Sequence, residues 1–229
     1  REEQNGFNLI AATAYPELTP NMIALSNERN NTLFVVGDTP MRLAANGTDL
    51  VSWATNNGGL GFPTEDGLLT ASQYLGTFYP SCQTTDTTGN PVVTAPSHMM
   101  VRTIIRSDEV SYPWLAPAGT RRGVADNATQ IGYIDGATGE FQPIGVNQGL
   151  RDVLYSLNVN PITFIPGVGI TNFGNKNLFL VSKVIIQIFA NLPDGPYGCE
   201  AKNFQQNLCL SRCGEMHYLK YGTLTPKSQ

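Results

Sequence analysis

The sequence predicts a mixed α/β fold, with a βαβ-containing sheet flanked by helices and a small C-terminal sub-domain. Three observations carry this. Phe7–Ala14 and Leu33–Val36 are short apolar runs separated by a helical pattern that opens at Thr19-Pro20, which is the signature of a βαβ unit. Leu33-Phe34-Val35-Val36 is apolar without alternation, so the strand is buried on both faces and helices must cover the sheet. Met99, Met100, Val101, Ile104 and Ile105 recur at helical spacing behind Ser97, giving a longer helix to do so.

Each element follows from local chemistry. Thr19 is expected to cap the first helix, with Pro20 in its first turn, where a missing N–H costs nothing. Gly37-Asp38-Thr39-Pro40 ends the second strand. A second helix is expected from Thr48, as its cap, to Trp53, stopped near Gly58-Gly59. Asn56–Gly61 reads as a turn, Ser72–Tyr79 as a strand, Gln83–Asn90 as a polar loop and Val92-Val93 as a short edge strand. Ser97 is expected to cap the long helix, which ends near Glu109 because the residue before Pro113 avoids helical angles. Gly132, Asp135-Gly136 and Gly139 place a hairpin or irregular excursion in Gln130–Phe141. Asn147–Leu157 is a helix with Leu150, Val153, Leu154 and Leu157 on one face. Val159–Phe164 and Gly167–Phe173 are strands joined by a Pro-Gly turn. After Leu178 the periodicity weakens and three of the four cysteines appear. The expected division is therefore a core at 1–120, a sub-domain at 121–178 and an atypical tail at 179–229.

Composition excludes several function classes. The chain has 229 residues, 41% of them hydrophobic, enough for one sizeable core. Charged residues make up 14% against roughly 25% in an average domain, so much of the surface is amide, hydroxyl and glycine. That suits a protein that buries itself against copies, and equally a viral or extracellular composition. Net charge is −4 and Arg121-Arg122 is the only adjacent basic pair, so the positive footprint of a nucleic-acid binder is not expected. The apolar run Leu178–Ala190 is broken by Ser182, Lys183 and Gln187, and no membrane insertion is expected. The chain opens with Arg1 and reads as a fragment or processed piece.

Candidate chemistry is sparse. Gly58-Gly59-Leu60-Gly61 lacks the pattern of a phosphate loop. Cys199, Cys209, Cys213 and His217 have spacing within reach of a zinc site but no paired C-x2-C knuckle. Cys82–His98 and Cys199–His217 have no nucleophile signature around them, and Asp108-Glu109 reads as a solvated helix end rather than an acid–base pair. No cofactor and no metal are expected. Arg121-Arg122 either reaches an acidic patch on a neighbouring copy or is an ordinary exposed pair. Trp114, stiffened by Pro113 and Pro117, is a core plug or an interface anchor.

The order of motifs is more specific than any one of them. Pro113–Gly119, Arg151–Tyr155, Asn160–Ile162, Pro166–Ile170 and Gly174–Leu178 resemble, in that order, the core of contractile tail sheath proteins of bacteriophages and related injection machines. The resemblance covers most of Phe7–Leu178. It implies a sheath-type core and a structural subunit, not an enzyme. Copies would stack as hexameric rings into a helical sheath around a tail tube protein, between baseplate and tail terminator. The sheath would contract on a baseplate signal to drive the tube through the host envelope, with no nucleotide hydrolysis. Terminal arms in that family add strands to neighbours' sheets. The implied place is the tail of the virion, assembled in the bacterial host cytoplasm. Family-motif and interface candidates are Pro113, Trp114, Pro117, Ala118, Gly119, Arg121, Arg122, Arg151, Asp152, Tyr155, Asn160, Pro161, Gly167, Gly169 and Gly174. Against that pattern the N-terminal arm and outer domains are missing, and 179–229 reads as a divergent C-terminus or a shifted reading frame joined to a real core, the second being the favoured reading. The rival readings are a doubly wound α/β enzyme and a small metal-binding module in the tail.

Overall fold

The computed structural model describes residues 6–55, 72–112 and 115–178. Strands β1 (Leu9–Ala11), β2 (Phe34–Asp38), β3 (Leu75–Tyr79), β8 (Asn160–Ile165) and β9 (Gly169–Asn172) form one sheet in that order. β1, β2, β3 and β8 are parallel, and β9 returns antiparallel to β8. At Pro80 the chain passes into a second, antiparallel sheet of order β5-β4-β6-β7, made of β4 (Ser81–Thr85), β5 (Pro91–Thr94), β6 (Gln130–Ile134) and β7 (Phe141–Pro143). The helices are α1 (Thr19–Glu28), α2 (Gly47–Ala54), α3 (Pro96–Val110), the short α4 (Gly119–Arg122) and α5 (Gln148–Ser156). The mixed α/β class is as the sequence predicts. β8 and β9, from beyond residue 120, complete the sheet begun by β1–β3.

The expected two-sided burial of β2 explains the layers. Val35 and Leu75 face α1, where Met22, Ile23 and Leu178 close over them. Phe34, Val36 and Phe78 face the opposite way and share a core with Met99, Met100 and Ile104 of α3, Leu50 and Trp53 of α2, Leu154 of α5 and Ile131 of the second sheet. Each such side chain, fully buried, stabilises by roughly 1.5–3 kcal/mol.

Several local expectations are corrected. Thr19 does not cap α1. A 3-10 turn at Pro16–Leu18 runs directly into the helix, so Thr19 lies inside a continuous helical path and its N–H donates to the Pro16 carbonyl. α2 is capped by Asn46, whose Oδ1 accepts from Thr48 N at 3.0 Å. Ser97 lies inside α3, and its hydroxyl is turned toward Asp38. Gln83–Thr85 belong to a strand, because β4 is held between β5 and β6 and that pairing outweighs its polar side chains. Only Asp86–Asn90 turns, with Asp86 Oδ1 accepting from Thr88 N and Asn90 N at 2.8 Å each. The readings for Asn56–Gly61 and for 179–229 lie outside the described residues.

Candidate assembly site

The motif residues converge on the β8–β9 side of the first sheet. Asn160, fully buried at the start of β8, is the hub. Its Nδ2 donates to the carbonyls of Thr77 (3.1 Å) and Lys176 (2.7 Å), and its Oδ1 accepts from Lys176 N at 2.7 Å. The carboxamide thus ties β3, β8 and the chain after β9 together. Gly174 lies against it: a Cβ there would come within 2.6 Å of Asn160 Cα and would also strike Oδ1. Gly174→Ala is therefore expected to lose about 2 kcal/mol through displacement of the hub, read as a lower urea midpoint. An unchanged midpoint would show that the hub yields freely.

A second buried amide extends the clasp. Asn172 Nδ2 donates to Pro117 O (2.9 Å) and Gly174 O (2.8 Å). This anchors the turn formed by Pro117, Ala118 and Gly119, with Ala118 at the N-cap of α4 and Gly119 at φ +79°. Tyr155 OH donates to Phe173 O (2.8 Å), Lys176 Nζ donates to Tyr155 O (2.7 Å), and the Arg151 guanidinium lies over the Phe173 ring at 5.3 Å. Pro161 is buried and its carbonyl accepts from Phe173 N. Gly167 and Gly169, at φ +80° and +110°, close the β8–β9 turn, where Phe164 and Val168 are exposed. Asp152 and Arg121 are exposed and outside this network, and Arg122 is half-buried. Pro113 and Trp114 lie outside the described residues. Sequence reasoning missed Asn172 and Thr77 altogether. An Asn ending an otherwise β-prone run, Ile170-Thr171-Asn172-Phe173, was the available signal.

The catalytic candidates lie outside this network. Cys82 is buried, burial pushes its thiol up to about 12, and its contact is the Pro80 carbonyl. His98 is exposed. It lines a groove of about 920 Å³ between β1 and α3, together with Leu9, Val101 and Ile105. On the groove's rim Arg102 and Arg106 both pair with Asp126 at 3.0 Å. Burial raises Asp108 to about 7, whereas Glu109 is exposed. Among the described residues the strand order runs β1-β2-β3-β8-β9 without reversal, so these strands form no switch-point crevice of a doubly wound enzyme. Among the described residues no three His, Cys, Asp or Glu side chains gather as metal ligands, and no helix is long and apolar enough to cross a membrane. Cys199, Cys209, Cys213 and His217 lie outside the described residues.

Comparison with known proteins finds similarity in part of the sequence and in the fold. No family model matches the chain. A stretch of 70 residues, 31% of the chain, is 29% identical to the tail sheath protein of Vibrio phage KVP40, of which it spans 9%. The fold is similar to that of a chain in the contracted helical sheath of the anti-feeding prophage, with TM-score 0.55 and 15% identity over 97% of this chain and 49% of that one. A chain of the same prophage's contracted baseplate gives TM-score 0.54 and 18% identity over 99% of this chain and 52% of that one. The chain thus spans about half the length of the solved chains it matches. The matched sequence is named a tail sheath protein, and the chains of similar fold come from a contracted sheath and a contracted baseplate.

Proposed function

We propose that this chain is a structural subunit, or part of one, of a contractile tail sheath. Its copies stack as hexameric rings around a tail tube, between baseplate and terminator, and contract to drive the tube through a host envelope. In this reading it is not an enzyme, takes no cofactor, contacts neither nucleic acid nor membrane lipid, and resides in the tail of a virion assembled in the host cytoplasm. The observation that carries the reading is the fold shared with a contracted sheath chain over nearly the whole of this one. The ordered motifs that meet at Asn160 and Asn172 support it independently. Low charge, with amide and hydroxyl side chains in its place, fits a surface that spends its working life against other copies. Family subunits add strands to neighbours' sheets, and that mode of joining is carried over here.

Co-expression of the protein with its tube protein, followed by electron microscopy, tests this. Hollow helical sleeves around tubes are the expected result. Bare tubes beside soluble monomer, at every ratio of the two, would overturn it.

A further inference from the structure

The two edges of the five-stranded sheet are not equivalent. Among the described residues no strand pairs with the outer side of β1, and the groove against α3 runs along it. The outer side of β9 is occupied by the chain's own residues 117–125. Asn172 N donates to Gly123 O (2.7 Å), Ala125 N donates to Ile170 O (2.9 Å), and Val124 bridges Thr171 antiparallel. Asn172 Nδ2 fastens the start of this strap through the Pro117 carbonyl.

We propose that residues 117–125 are an edge guard, which closes β9 in cis and must be released before β9 can pair with a strand of a second copy. Three features mark the strap as both fitted and releasable. It is fitted because Gly123 lies so close to β9 that an added Cβ would strike the Asn172 carbonyl. It is weakly held because it pairs with β9 through a single bridge rather than a ladder. It also carries a cost when closed, since Nη1 of Arg122 is buried with no hydrogen-bond partner among the described residues, and a guanidinium nitrogen left unpaired opposes burial. Once the strap lifts, Ile170 C=O and Asn172 N–H are left unpaired on a strand flanked by exposed Phe164, Val168 and Phe173. A peptide strand satisfies that combination through its main chain and its apolar side chains. The strap as a guard is read from these contacts, whereas the second copy as the source of the strand rests on the sheath reading.

Hydrogen exchange and sedimentation velocity on the full 229-residue chain test the guard. In Gly123→Val the amides of Ala125 and Asn172 are expected to exchange about tenfold faster, while the β3 and β8 ladders hold. The variant should also associate with rising concentration, and the Asn172 amide should regain protection in the associated species. Faster exchange in a chain that stays monomeric would overturn the proposal, as would unchanged exchange. If Gly123→Val fails to fold, Arg122→Met decides. Removing the orphaned nitrogen should slow exchange at the same two amides about threefold, and no slowing would overturn the guard. Neither readout involves tubes or sleeves, so the two failures are distinguishable: sleeves with unchanged exchange here overturn the guard alone, and bare tubes with association here overturn the sheath reading alone.

Discussion

Asn160→Asp is expected to cost about 3–5 kcal/mol at pH 7, although it changes one nitrogen to one oxygen. The wild-type Nδ2 donates to two carbonyls, Thr77 O and Lys176 O, while Oδ1 accepts from Lys176 N. An aspartate oxygen in the Nδ2 position would face both carbonyls with no proton between them, on a residue with no exposed surface. The charge is buried as well as mismatched. For a chain of this size the loss corresponds to a fall in Tm of about 10 °C. Burial would raise the new carboxyl above its unfolded value. The folded variant therefore holds the proton more tightly, and its deficit should shrink as pH falls from neutral toward the unfolded carboxyl's value of about 4, as one donor is restored. Thermal melts of both proteins at pH 7 and pH 4.5 check this. A deficit under about 1 kcal/mol, or one that does not change with pH, would remove Asn160 as the hub. Loss of the hub should also free Lys176 and loosen Gly174, so the β8–β9 side should exchange faster than the α1 side.

The parts of the fold that were legible in the sequence are those fixed by neighbours along the chain. Leu33–Val36 is apolar enough to specify a strand buried on both faces, and it is one. Met99, Met100 and Ile104 specify the buried face of α3 by spacing alone. What was not legible depends on partners far away. β4 is polar through Gln83, Thr84 and Thr85, and becomes a strand because β5 pairs with it on one side and β6, nearly fifty residues on, pairs with its first half on the other. Ser97 has the composition of a cap, but a carboxylate 59 residues earlier takes both its N–H and its hydroxyl. Thr48 lost its expected role to Asn46 because the helix begins at Gly47, which puts Asn46 at the cap and Thr48 inside the first turn. The motif order runs through the stretch of chain in which the clasp lies. The carboxamides that close it, Asn160 and Asn172, act through carbonyls at Thr77 and Pro117, distant in sequence. A buried amide bonded to backbone leaves no periodic trace, so single-sequence reading finds it only as an Asn in a run that otherwise favours strand.

Asp38 carries the second large effect, and its sign depends on pH. Its carboxylate sits at the end of β2, where Oδ1 accepts from Ser97 N (2.6 Å) and Oδ2 accepts from Ser97 Oγ (2.8 Å) and Ala14 N (3.0 Å). One side chain therefore caps α3 and fixes the chain leaving β1. Burial pushes its pKa up from 3.8 to about 6, against the three hydrogen bonds that favour the charged form. Because the folded value lies above the unfolded one, the stabilising contribution is full below about pH 4. It is lost as pH rises through 6, by about 3 kcal/mol for two units of displacement. Asp38→Asn cannot ionise, so its stability should be flat over that window where wild type declines. At pH 4.5 the variant should be less stable by about 1–2 kcal/mol, because its Nδ2 confronts a donor that the carboxyl accepted from. By pH 7.5 the gap should narrow or reverse. Asp38→Ala should be worse at both, by about 2–3 kcal/mol, since Ser97 N is then buried without an acceptor and Ala14 N loses its bond as well. Urea unfolding of the three proteins at pH 4.5, 6 and 7.5 separates these cases. Parallel profiles for wild type and Asp38→Asn would show that the carboxyl titrates at an ordinary value, and that its three donors outweigh its burial.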